Sequence, residues 1–157
     1  MNRVFQTRFG KEGNCFAACL ASLFEVPLEQ VDQCACNNPT WAAETDAFLA
    51  RYGLYMTEVK AEPTGELGNI NPPPDGSLCM YSVKGSLPHV VIGRAKWNAK
   101  HPCGSCANWD VEIVHDPYSV EGRGAHDARA YEIRSILLLC AIQRENETPQ
   151  LIYSHGR

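Results

Sequence analysis

The chain has no long apolar run, no apolar core near its N-terminus and no surplus of positive charge, and each absence removes a class of function. Its longest apolar run, Ile136 to Ile142, is too short to cross a bilayer. The opening residues, Met1-Asn2-Arg3-Val4-Phe5-Gln6, lack the apolar stretch of a secretory signal, so cytoplasmic residence without a membrane partner is the expectation. With 14 Lys and Arg against 18 Asp and Glu, the net charge of −4 leaves no basic footprint for nucleic acid. No internal repeat and no composition boundary divides the chain. A length of 157 residues therefore points to a single domain, with core enough to fold without disulfide staples.

What the chain does have is cysteine, eight in all. Without a secretory signal they do not read as a disulfide framework. In a reducing compartment they are buried apolar residues, metal ligands or nucleophiles. Residues 15–25 (CFAACLASLFE) read as a helix, opened by Gly13 and an Asn14 cap and closed by Pro27. One short helical turn follows at Pro27–Val31. A second helix spans Thr40 to Tyr52, capped by Thr40 and stopped by Gly53, with Trp41, Ala47, Phe48 and Leu49 on its buried side. The period then changes. Strands are expected at Leu54–Val59, Ser77–Val83, His89–Ala95, Trp109–His115 and Tyr131–Ile142, with a Pro- and Gly-rich loop at Glu62–Gly76. Helices first and strands after argue for an α+β fold, N-terminal helices packed on an antiparallel sheet. The domain covers residues 1–145, with a Cys-containing hairpin insertion at 96–109, and 146–157 form a polar, loosely held tail.

Cys15 opens the first helix, where unpaired amides and the helix dipole stabilise an anion and favour a thiolate. By itself it reads equally well as a buried structural thiol. Cys19, one turn on, is a packing residue. If His89–Ala95 pairs antiparallel with Asp110–Asp116, placing His89 opposite Asp116 also places Ala95 opposite Asp110. Opposed Cβ atoms lie about 5 Å apart, within reach of an imidazole–carboxylate hydrogen bond. Asp116 would then orient His89 as the base for Cys15. His115 points to the other strand face and is read as structural. For the developing oxyanion, the Cys15 amide and the Gln6 side chain are candidate donors; eight residues separate Gln6 from Cys15, enough for a returning loop.

Gln6, Asn14-Cys15-Phe16-Ala17-Ala18-Cys19-Leu20-Ala21, His89-Val90-Val91 and His115-Asp116-Pro117 resemble the bacteriocin-processing peptidases, papain-like domains found on peptide-exporting transporters. Small phage and bacterial proteins with Gly-Asn-Cys, Pro-His and His-Asp-Pro are similar too. The resemblance implies a papain-like fold, with Gln6 as oxyanion donor, Cys15 as nucleophile, His89 as base and Asp116 as its orienter. It covers residues 6 to 117 through short motifs. Asn14 and Phe16 stand where those peptidases have Asp and Gly, and the Gln-to-Cys spacing is longer here. No transporter segment accompanies these motifs, so the mechanism carries over and the leader-peptide substrate does not.

A second group of cysteines forms a candidate zinc site. His101, Cys103 and Cys106 lie in the strand connection, and Cys34 and Cys36 lie in another loop. Unligated thiols at a hairpin tip are the alternative. Catalysis on Cys15 needs no cofactor; structural zinc is the only candidate.

Three functions are thus open. The first is a thiol hydrolase acting on an amide, peptide or isopeptide bond, with acyl transfer as its variant. The second is a papain-fold binding module, such as a phage-encoded inhibitor of a host protein. The third is a zinc-stapled interaction domain. Pocket walls are expected from Cys34–Thr40, Glu62–Gly76 and Tyr118–His126.

Overall fold

Alanine and small residues dominate Cys15–Phe24, and this segment forms the first helix, α1. The computed structural model describes residues 1–60, 73–84, 89–97, 109–118, 133–141 and 154–155. His101, Cys103 and Cys106, together with most of the Glu62–Gly76 and Tyr118–His126 loops, lie outside these residues. From Cys15 to Ser22 every residue of α1 is buried. Ser22 tolerates that position because its hydroxyl donates to the Ala18 carbonyl at 2.8 Å and accepts the Val4 N–H at 2.9 Å. The helix stops at Glu25, whose φ of 55° is left-handed and whose N–H returns to the Ala21 carbonyl. Pro27 follows and cannot continue it.

The second helix, α2, runs from Trp41 to Ala50 and buries Thr45, Phe48 and Leu49. Thr40 does not cap it as the sequence suggests. Its hydroxyl bonds Asn38 Oδ1 at 3.0 Å instead, and Ala47, expected inside, is exposed. Between the helices, Leu28–Gln30 forms the expected short turn, and a second 3-10 turn at Asp32–Cys34 was not expected.

Among the described residues six strands follow: β1 Leu54–Lys60, β2 Ser77–Val83, β3 His89–Trp97, β4 Trp109–His115, β5 Ile133–Ala141 and β6 Ser154–His155. They make one antiparallel sheet in the order β1-β5-β2-β3-β4, with β6 paired to β2. This is the α+β architecture the element order predicts. The tail differs: Ser154 and His155 return to pair with Leu78 and Ser77.

Both faces of the sheet carry apolar clusters. Leu78, Met80, Val90, Ile92 and Leu137 join Phe16, Leu20, Phe48 and Leu49 of the helices. Cys79, Tyr81, Val83, Val91, Ile136 and Leu138 form the second cluster. Burial on two faces explains why β5 reads as a continuous apolar run rather than an alternating one. Gly93 lets the Tyr81 ring cross the second face; a Cβ there would meet Tyr81 Cε2 at 2.8 Å and also strike Val111.

The β3–β4 register corrects the expected one. Ala95 pairs with Val111, not Asp110, and Gly93 pairs with Ile113. Continued unbroken, that one-residue slip would turn Asp116 to the strand face opposite His89. A bulge between Ile92 and Gly93 intervenes, so Ile92 pairs with His115 and Val114 is the extra residue. The inserted residue reverses the alternation and returns Asp116 to the parity of His89. The two are diagonal neighbours, not direct opposites. Among the described residues no helix is long and apolar enough to cross a membrane.

Candidate active site

The start of α1, the start of β3 and the end of β4 converge on one place. α1 packs against β3, and the buried Cys19 thiol contacts the Val90 carbonyl at 3.4 Å, securing the helix beside the first residues of that strand. Burial pushes the Cys19 thiol well up, so it stays protonated and serves packing.

His89 Nε2 lies 2.8 Å from Asp116 Oδ1, and the Cys15 thiol is hydrogen-bonded to the same imidazole. With Nε2 on the carboxylate, Nδ1 is the ring nitrogen left for sulfur. Asp116 is buried, and its Oδ1 also accepts the Tyr118 N–H at 2.9 Å. Burial lowers the proton affinity of His89. The hydrogen bonds the ring makes to Asp116 and Cys15, with the electrostatic attraction of those neighbours, outweigh it and raise the pKa to about 9. The histidine is therefore held as imidazolium at neutral pH, flanked by a carboxylate and a thiol.

His115 behaves differently. Burial lowers its pKa, and its neutral ring donates from Nε2 to the Val4 carbonyl at 2.7 Å. It is a buckle between β4 and the N-terminal segment, consistent with a structural histidine.

Gln6 comes to the same corner. Its N–H donates to the Pro117 carbonyl at 3.0 Å, directly after Asp116. Its side-chain Nε2 donates to the Arg8 carbonyl at 3.2 Å, an oxygen that also receives the Asn14 N–H at 3.4 Å. The Gln6 amide thus lies within one residue of the Cys15 backbone. Nε2 keeps a second hydrogen, while Oε1 is buried without a hydrogen-bond partner among the described residues. A buried polar atom left without a partner costs about 1–3 kcal/mol.

Asn14 organises this corner in a way the sequence did not disclose. It is fully buried, yet its side chain caps no amide of α1. Oδ1 accepts the Thr7 and Arg8 N–H groups at 3.0 and 3.1 Å. Nδ2 donates to Thr7 Oγ1 at 3.2 Å and to Asp32 Oδ1 at 2.9 Å. Asp32 in turn holds Arg8 at 2.6 Å. Burial would raise the Asp32 pKa, but the bonds from Asn14 and Arg8 and the Arg8 charge bring it below the usual range. The long Gln6-to-Cys15 connection is thereby folded back on the nucleophile, with the Gly10–Glu12 turn at its tip. The only sequence sign was an Asn where the similar peptidases have Asp.

Of the candidate zinc ligands, Cys34 is buried in the helix-side core and Cys36 is exposed. Cys36 lies close enough to Cys15 for their charges to interact. Among the described residues no three metal-ligating side chains gather, and His101, Cys103 and Cys106 are outside them.

No protein-family model, curated protein or solved structure matches the chain.

Proposed function

We propose that the chain is a papain-like thiol hydrolase that cleaves an amide, peptide or isopeptide bond through an acyl-enzyme on Cys15. The observation that carries this reading is the single imidazole of His89, bonded to Asp116 at 2.8 Å and to the Cys15 thiol. The imidazolium stabilises a Cys15 thiolate, which attacks the substrate carbonyl carbon. The developing oxyanion is met by the Cys15 N–H and by the free hydrogen of Gln6 Nε2. His89 then gives its proton to the departing amine, and the C–N bond breaks. Water, deprotonated by His89, attacks the thioester, releases the acid and restores the thiol. An amine in place of that water makes the same site an acyltransferase. The reducing cytoplasm suits a site built on a free thiol.

The test is limited alkylation with iodoacetamide near neutral pH, read by intact mass and peptide mapping. Cys15 is expected to label ahead of the other seven cysteines, and His89→Ala is expected to remove that lead. A Cys15 no more reactive than its neighbours, or one indifferent to His89→Ala, would sink the hydrolase reading.

A further inference from the structure

Exposed apolar side chains scattered singly need no explanation. Phe9 and Tyr118 are not scattered. They are 47% and 45% exposed, and their rings meet edge to face with centroids 5.4 Å apart. The Tyr118 ring also stands edge-on to His89 at 6.1 Å. Core packing does not require this pair, since neither residue belongs to the apolar clusters of the sheet. Both sit on backbone that is held at or beside them. Tyr118 is tied through its N–H to Asp116 Oδ1 at 2.9 Å. Phe9 follows Arg8, whose N–H is held by Asn14, and precedes the Gly10–Glu12 turn. Two aromatic rings in contact at the surface beside the imidazole form an apolar binding wall.

The chemistry of the site says which part of a substrate meets that wall. His89 must hand its proton to the departing nitrogen, so the leaving group lies on the His89 side of Cys15. We infer that Phe9 and Tyr118 form the subsite for the leaving amine, and that they select a peptide whose residue just after the scissile bond carries an aromatic or large aliphatic side chain. This inference rests on the hydrolase reading above.

Microscopic reversibility supplies a test that needs no natural substrate, because an amine attacking the acyl-enzyme enters where a leaving amine departs. p-Nitrophenyl acetate acetylates the intact protein: the Cys15 sulfur bonds the acetyl carbon and p-nitrophenolate leaves. Phenylalaninamide, glycinamide or lysinamide is then supplied. Its nitrogen bonds the acetyl carbon as the C–S bond breaks, and the amine proton passes through His89 to regenerate the thiol. N-acetyl products are quantified by mass spectrometry, normalised to the same amines reacting with a small acetyl thioester in solution.

Phenylalaninamide is expected to exceed glycinamide by about tenfold after normalisation, the scale of partly burying one aromatic side chain. Phe9→Ser and Tyr118→Ser, each verified as folded by circular dichroism, should bring that ratio near one, and Tyr118→Phe should retain it. A wild-type ratio near one, or a ratio unchanged in both serine variants, overturns the inference while leaving the hydrolase reading intact. A preference for lysinamide overturns it in favour of an isopeptide leaving group. No p-nitrophenolate burst dependent on Cys15 removes both together.

Discussion

At Asn14, an aspartate would keep the size of the side chain and reverse the sense of one hydrogen bond. Oδ1 would still receive the Thr7 and Arg8 amides, but a second carboxylate oxygen would face Asp32 Oδ1 where Nδ2 now donates at 2.9 Å. Asn14→Asp is expected to cost about 1–3 kcal/mol and to slow Cys15 alkylation at neutral pH. Asp32→Asn in the same chain should restore both, because a donor again faces an acceptor. Urea denaturation and alkylation rates measure the two effects. Asp116→Ala acts on the other side of the site. It removes the acceptor shared by His89 and the Tyr118 N–H, leaving only the Cys15 contact to offset the burial that lowers the proton affinity of the imidazole. Turnover should fall on the order of 100-fold or more, and the His89-dependent part of Cys15 alkylation should vanish.

Among the elements, Gly93 on β3 is the most sensitive point. Gly93→Ala drives a methyl into the fully buried Tyr81 ring and Val111, with no open side to yield. The expected loss is about 1–3 kcal/mol, visible as a lower midpoint in urea. The longer elements were legible in the sequence because periodicity accumulates over many residues. The first helix, for example, matched within a residue or two of its predicted span, and β2 and β4 matched at both ends. β6 was not legible, since two residues carry no period. The bulge was equally hidden: Val114 is an ordinary strand residue, and nothing in its chemistry announces that it is the extra one. For that reason the expected register missed by a residue while still pairing His89 with Asp116. Cys15, His89, Asp116 and Gln6, which the fold gathers at the candidate site, could be singled out in the sequence by chemistry and spacing. The bonds Asn14 makes to Thr7, Arg8 and Asp32, and the meeting of Phe9 with Tyr118, were not legible, because no local pattern encodes which segments the chain brings together.

For the whole molecule, the raised proton affinity of His89 links stability to pH. The imidazole has an unperturbed pKa of about 6.5 in the unfolded chain and about 9 in the folded one. Folding therefore takes up a proton between those values, and the contribution is complete below about pH 6.5 and disappears as pH rises through 9. It is on the order of 3 kcal/mol at most. His115, with its lowered pKa, works in the opposite sense and loses its contribution on acidification. Comparing urea midpoints of the wild type and His89→Gln across pH 6 to 10 isolates the first effect. Their difference should shrink toward the alkaline end; a constant difference would contradict the ion-paired site.

The bonds from Val4 to His115 and from Gln6 to Pro117 join parts of the chain more than a hundred residues apart. Contacts of such separation form late, after the sheet between them has paired. Synthesis delivers Cys15 long before His89 or Asp116 exists. In the hydrolase proposed above, Cys15 has no complete base until residues 115–117 have been made and latched onto the N-terminal segment. On that proposal a newborn chain carries an unarmed nucleophile, and the topology acts as a safety catch released by completion of the fold.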